Sequence, residues 1–100
     1  MLEKQVEKAL VSTADVLGGV ALKFVSPGRN GVPDRIVLLP VPEEHRAIVA
    51  RYIKFVEVKR PGQKARPLQE RFLQYLRDLG FEARVTASLK GVADLFTEEK

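Results

Sequence analysis

Three polar residues in two short segments have the types and spacing for chemistry. Asp34 follows Pro33, and Glu57 and Lys59 close the run Phe55-Val56-Glu57-Val58-Lys59. Residues two apart on a strand point to one face, so Glu57 and Lys59 share a face, which they continue from Ile53 and Phe55. Asp34 opens the preceding strand after a turn. If that strand pairs antiparallel with residues 51–59, Asp34 falls beside Glu57, and two carboxylates meet one ammonium. Hard carboxylate oxygens hold Mg²⁺ or Mn²⁺. Such an ion lowers the pKa of bound water and polarises phosphoryl oxygens, and two ions about 4 Å apart clamp the attacking and leaving oxygens together. A lysine beside them orients the water or steadies developing charge. These are the groups that hydrolysis of a phosphodiester needs. Spacing alone also allows a surface ion pair, with Asp34 a turn residue.

Composition narrows the alternatives. One hundred residues, 45% of them hydrophobic, suit a single compact domain spanning 1–100. There is no cysteine, and His45 is the one histidine, so a disulfide framework, structural zinc and a Cys or His nucleophile are all disfavoured. His45 itself reads as a loop residue. The formal net charge is +4, and its distribution matters more than its size. Lys59, Arg60, Lys64, Arg66 and Arg71 stand against the single acid Glu70, a basic stretch suited to phosphate contact, with a solvated loop as the alternative. Aromatic residues make up 7% and show no regular spacing, which argues against a base-stacking platform for single strands. The charged start Met1-Leu2-Glu3-Lys4 has no signal-peptide character, and a cytoplasmic location is expected.

The elements that must position these residues can be read along the chain. Leu2, Val6, Ala9, Leu10, Thr13 and Leu17 recur at helical spacing, which predicts an amphipathic helix over 2–17 ended by Gly18-Gly19. Residues 20–25 read as a strand, 26–31 as a turn rich in Gly, Pro and Asn, and Arg35–Leu39 as a second strand. Residues 43–50 fit either a long hairpin loop or one helical turn. Arg51–Lys59 reads as a central strand, apolar on both faces, broken by Pro61-Gly62. Pro67 opens a second helix, with Leu68, Phe72, Tyr75, Leu76 and Leu79 as its expected buried stripe and Gly80 as its stop. A Schellman-type cap there would pack Phe81 on Leu76. Phe81–Thr86 reads as a strand and Lys90–Phe96 as a short last helix; Asp94 within it has no evident link to the site. The order α-β-β-β-α-β describes an α/β protein with a mixed β-sheet flanked by helices.

Taken together, Gly31-Val32-Pro33-Asp34-Arg35, then Phe55-Val56-Glu57-Val58-Lys59-Arg60-Pro61-Gly62, then Pro67-Leu68-Gln69 resemble the virus-type replication-repair nuclease (VRR-NUC) domain of the PD-(D/E)XK superfamily. The similarity runs from the Glu3 region to Val85. It implies a restriction-endonuclease-like fold, with Asp34 and Glu57 as metal-binding carboxylates, the Val58 carbonyl as a further ligand and Lys59 as the catalytic lysine. It also implies that Gln69 completes the site from its helix, although a Gln at the third helical position can instead cap the helix. An acid on the first helix often joins such sites; Glu3 matches the family position and Glu7 is one turn on. The segment Val41–Ala50 departs from the tight hairpin of small viral members, being longer and more charged, and is a candidate for dimer or DNA contact. Lys23 and Arg29 flank the turn before Asp34, where they fit phosphate contact or solvated charge equally, and Arg29 and Arg35 join Arg60, Lys64, Arg66 and Arg71 as candidate nucleic-acid contacts.

The resulting expectation is an endodeoxyribonuclease dependent on Mg²⁺ or Mn²⁺. A chain this short has no room for a separate recognition domain, so selection by DNA structure is expected. The resemblance points to branched DNA such as Holliday junctions, cut by a homodimer. Small members of this kind are commonly phage-encoded, which implies action in a bacterial host cell. Two other readings use the same residues: a non-catalytic basic nucleic-acid-binding module, and a restriction-type nuclease with a defined recognition sequence.

Overall fold

The computed structural model describes residues 1–97. It is an α/β protein with four α-helices and two small sheets among the described residues, and the chain divides into two compact units, Met1–Pro40 and Val41–Lys100.

The first unit is a helix on a hairpin. Helix α1 (Glu3–Val16) starts with the Gln5 side chain accepting the Leu2 backbone N–H at 3.0 Å. It ends in a Schellman turn: Gly18 takes φ 84°, its N–H reaches the Asp15 carbonyl, and the Gly19 N–H reaches Ala14 at 2.9 Å. Strand β1 (Val20–Lys23) pairs antiparallel with β2 (Arg35–Leu38), with Val20 opposite Leu38 and Lys23 opposite Arg35. Gly19 makes this close approach feasible, because a Cβ there would sit 2.1 Å from the Leu38 carbonyl oxygen. α1 packs on β1 through the face carrying Glu7, Val11 and buried Ala14, while Leu2 and Val6 stay exposed. The apolar positions that reveal the helix in the sequence are therefore not the face it buries in its own unit.

The second unit contains a β-α-β crossover. After a 3-10 turn over Glu43–His45, helix α2 covers Arg46–Tyr52, and strand β3 begins only at Lys54 and ends at Val58. The strand expected from Arg51 is thus two residues of helix too long. The Ile53 N–H still bonds the Val49 carbonyl at 3.0 Å, and the Lys54 ammonium closes the helix end on the Ala50 carbonyl at 2.6 Å. The ambiguous segment is helical rather than a hairpin loop, tied down by the Val41 N–H to the Leu79 carbonyl (2.8 Å) and by Arg46 Nε to the Val41 carbonyl (2.8 Å).

Helix α3 (Pro67–Leu79) then carries the chain back so that β4 (Glu82–Thr86) lies parallel to β3, with Glu57 opposite Val85. The predicted Schellman cap is present: Gly80 has φ 106°, and the Phe81 N–H bonds the Leu76 carbonyl at 3.0 Å. The Phe81 ring meets Phe55 edge-on at 5.8 Å. The buried face of α3 is Leu73, Leu76 and Leu79; Leu68 is 74% exposed, and Phe72 and Tyr75 also face solvent. Leu76 and Leu79 of the expected stripe are buried, while Leu73 takes the place expected of Leu68, Phe72 and Tyr75, because α3 carries two adjacent apolar rows and packing selects between them. Helix α4 (Leu89–Leu95) is capped by Ser88, whose hydroxyl accepts the Gly91 N–H at 3.0 Å.

The mixed α/β class read from the sequence holds, with the strands shared between two two-stranded sheets. β2 has its ladder with β1, and β3 with β4. The β2–β3 pairing that would place Asp34 beside Glu57 is not one of these two ladders.

Candidate active site

The C-terminal end of β3 and the N-terminus of α3 bring Glu57, Lys59 and Gln69 together in the second unit. Glu57 lies on the strand, and Lys59 just beyond it is held extended because its N–H continues the ladder to the Thr86 carbonyl at 2.9 Å. Both side chains therefore leave the face that Phe55 occupies. The Lys59 ammonium is 3.7 Å from Glu57 Oε2, with side-chain exposures of 13% and 31% respectively. That is an ion pair, too long for a hydrogen bond.

Gln69 does both things its sequence position allows. Its Oε1 accepts the Arg66 backbone N–H at 2.9 Å, capping α3, and its Nε2 donates to Glu57 Oε2 at 3.1 Å. The cap fixes the amide orientation, because only the oxygen can accept from the backbone, and so the donor is aimed at the carboxylate. Both contacts of the carboxylate go to Oε2, so Oε1 is the oxygen not engaged by either neighbour.

The loop between these groups is compact. The Gln63 N–H bonds the Arg60 carbonyl at 2.9 Å around Pro61-Gly62, with Gly62 at φ 84°, the geometry of a type II turn. Arg60, Lys64 and Arg66 are exposed on this loop, and Arg71 is exposed one turn into α3.

In the first unit, Asp34 immediately precedes β2. Its carbonyl accepts the Phe24 N–H at 2.8 Å, extending the hairpin ladder, and the residue is exposed. Arg35 is engaged internally: Nε donates to Glu7 Oε2 at 2.9 Å, NH2 lies 2.7 Å from the same oxygen, and NH1 donates to the Ala21 carbonyl at 3.1 Å. Hydrogen bonding from Arg35, then its charge, holds the Glu7 carboxyl below its ordinary pKa, with Lys23 adding to the effect. Glu3 and Arg29 are exposed. His45 closes the exposed 3-10 turn, and Asp94 forms a surface pair with Lys90 at 3.1 Å. Nothing local in the sequence pairs Glu7 with Arg35, 28 residues apart; that contact needs the helix laid on the hairpin.

The donor set suits a hard divalent cation. Glu57 offers a carboxylate oxygen. Alternation in a parallel ladder turns the backbone groups of Lys59 towards β4, and so turns the Val58 carbonyl to the opposite edge of the strand. Mg²⁺ is commonly held by one or two carboxylates, with water and substrate phosphate completing its shell. No group of three or more His, Cys, Asp or Glu residues that could hold a metal ion occurs among the described residues.

The VRR-NUC domain family matches residues 3–89. The chain belongs to the VRR-NUC family. This VRR-NUC chain is 46% identical over 86 residues to a protein named "Putative nuclease p44" from Acyrthosiphon pisum secondary endosymbiont phage 1, covering 86% of the present chain and 83% of the relative. No solved structure matches it. Membership places the protein among nucleases, as the residues around Asp34, Glu57 and Lys59 led one to expect. No helix among the described residues is long and apolar enough to cross a membrane.

Proposed function

We propose that this protein is a metal-dependent endodeoxyribonuclease that hydrolyses phosphodiester bonds in branched DNA, Holliday junctions included, as a homodimer. The observation that carries the catalytic part is the meeting of Glu57, Lys59 and Gln69 where β3 ends and α3 begins. Carboxyl ends of parallel strands are where α/β proteins commonly bind ligands.

Asp34 and Glu57 are the proposed carboxylates for Mg²⁺ or Mn²⁺, with the Val58 carbonyl as a further oxygen and Glu3 as the first-helix acid. The ion would supply Lewis acidity to the phosphoryl group and acidity to a water molecule. Gln69 holds Glu57 through Oε2, which leaves Oε1 engaged by neither Gln69 nor Lys59. Lys59 stands with its ammonium beside the carboxylate, where it orients the attacking water and offsets charge developing on the phosphoryl oxygens. The water oxygen bonds phosphorus, one ester P–O bond breaks, and the leaving oxygen takes up a proton. Arg60, Lys64, Arg66 and Arg71 hold the flanking phosphates, with Arg29 as a further contact from the turn before Asp34.

The test is a cleavage panel of linear, flap, nicked and four-way DNA with Mg²⁺ or Mn²⁺. Cutting should need the metal, favour branched substrates and disappear in Asp34→Ala and Lys59→Ala. Cleavage that survives chelation or either substitution refutes the mechanism. Equal cutting of linear and four-way DNA by a protein that sediments as a monomer refutes the junction reading, and discrete fragments from linear DNA would point to a restriction-type enzyme. Salt-sensitive binding without turnover would leave a binding module.

A further inference from the structure

We infer that Arg35 and Glu7 are a positioning pair that fixes Asp34 for metal binding, an inference that rests on the role proposed for Asp34. Asp34 sits at the end of a turn-rich segment and is itself exposed. Its carbonyl, in the peptide bond to Arg35, accepts the hydrogen bond from Phe24. The side chain of the next residue adds a second hold.

The Arg35 guanidinium uses all three of its nitrogens: Nε and NH2 meet Glu7 on α1, and NH1 meets the Ala21 carbonyl on β1. The first residue of β2 is thereby tied to both of the other elements of its unit at once. Charge-assisted contacts of this kind are among the stronger hydrogen bonds, and the Arg35 side chain is only 19% exposed. The Arg35 side chain turns to α1, where it meets Glu7, whereas Asp34 is exposed. Glu7 is therefore engaged by the neighbour of Asp34. Consecutive Cα atoms are about 3.8 Å apart, so any freedom at Arg35 is passed directly to Asp34. This assigns Glu7 and Arg35 duties different from those the sequence offered, a metal ligand and a phosphate contact.

The experiment combines calorimetric Mn²⁺ binding, Mn²⁺ dependence of cleavage, thermal unfolding and amide exchange in Glu7→Gln, Arg35→Gln, Arg35→Lys, the double Gln variant and the reversed pair Glu7→Arg/Arg35→Glu. Each single Gln substitution should weaken Mn²⁺ affinity about tenfold, the lower end for loss of a group that supports a ligand, with near-normal cleavage at saturating Mn²⁺. Phe24 amide exchange should quicken while the β3–β4 amides stay as they were. The double variant should add no further loss, and the reversed pair should recover part of it. Lysine cannot bridge two partners as the planar guanidinium does, so Arg35→Lys should resemble Arg35→Gln.

Abolished Mn²⁺ binding in Glu7→Gln with unchanged binding in Arg35→Gln would make Glu7 a ligand and overturn the inference. A lowered melting temperature with unaltered Mn²⁺ affinity would reduce the pair to a structural one. Failure of the underlying reading looks different: Asp34→Ala would then bind Mn²⁺ as the wild type does.

Discussion

The twofold engagement of Gln69 makes a prediction of sign. In Gln69→Glu, the carboxylate can still accept the Arg66 N–H now bonded at 2.9 Å, so the helix cap survives. A negative charge in the first turn of a helix is itself worth about 0.3–1 kcal/mol in its favour. If capping were the residue's sole role, Gln69→Glu would melt at or above the wild type. The 3.1 Å contact to Glu57 reverses that expectation. The donor is lost, and a hydrogen bond to a charged group contributes about 1.5–3 kcal/mol. A second carboxylate also faces the first, where two unit charges 4 Å apart repel by about 4 kcal/mol at an effective dielectric of 20. Glu57 is 31% exposed, so rotation and solvent screening reduce the total, and a net loss of about 2 kcal/mol is the working figure.

For a domain of this size, that loss corresponds to a melting temperature lower by roughly 10 °C. The assay is thermal unfolding in metal-free buffer at pH 7, at low and high salt, for Gln69→Glu, Glu57→Gln and the two combined. High salt should narrow the deficit, and the Glu57→Gln background should abolish it. A Gln69→Glu protein that melts no lower than the wild type without metal would refute the coupling between helix cap and carboxylate.

Other expectations follow from single features. The Thr86 hydroxyl is buried without a hydrogen-bond partner among the described residues, so Thr86→Val, which keeps the shape, should leave stability unchanged or raise it by about 1 kcal/mol; chemical denaturation showing a clear loss would count against this. The Glu7 carboxyl is lowered by Arg35, so its stabilisation is present above the ordinary carboxylate pKa and is lost as pH falls through the lowered one. Glu7→Gln should accordingly flatten the acid limb of a melting-temperature profile, and an unchanged limb would argue against the pair in solution. Neutralising Lys64 and Arg66 together should reduce the slope of log binding constant against log salt by up to about 1.8, if each meets one phosphate of duplex DNA. No change in slope would remove them from the interface.

Much of this was legible in the chain because the signals are local. Pro67 and Gly80 delimit α3 through backbone chemistry alone, and the Schellman cap at Gly80-Phe81 follows from glycine's access to positive φ. Strand alternation put Glu57 and Lys59 on one face. Arg51 and Tyr52 misled, because a β-branched and aromatic run reads as strand until the hydrogen bond from Ile53 to Val49 keeps it helical. Leu68, Phe72 and Tyr75 misled for a related reason: Leu76 and Leu79 are buried as expected, but they share the buried face with Leu73, and burial against β4 decides which neighbouring row joins them.

By itself, the sequence determined the residue types, the element boundaries marked by Gly and Pro, the face shared by Glu57 and Lys59, and the family. Each of these depends on neighbours a few positions apart. Tertiary structure decided how those side chains are engaged. It brought the Gln69 Nε2 to Glu57, bound Arg35 to Glu7 and Ala21, and chose the buried rows of α1 and α3. Such contacts join residues 12 to 28 positions apart, and they form only when helix and strand pack together, because no local rule specifies the partner a long polar side chain will reach.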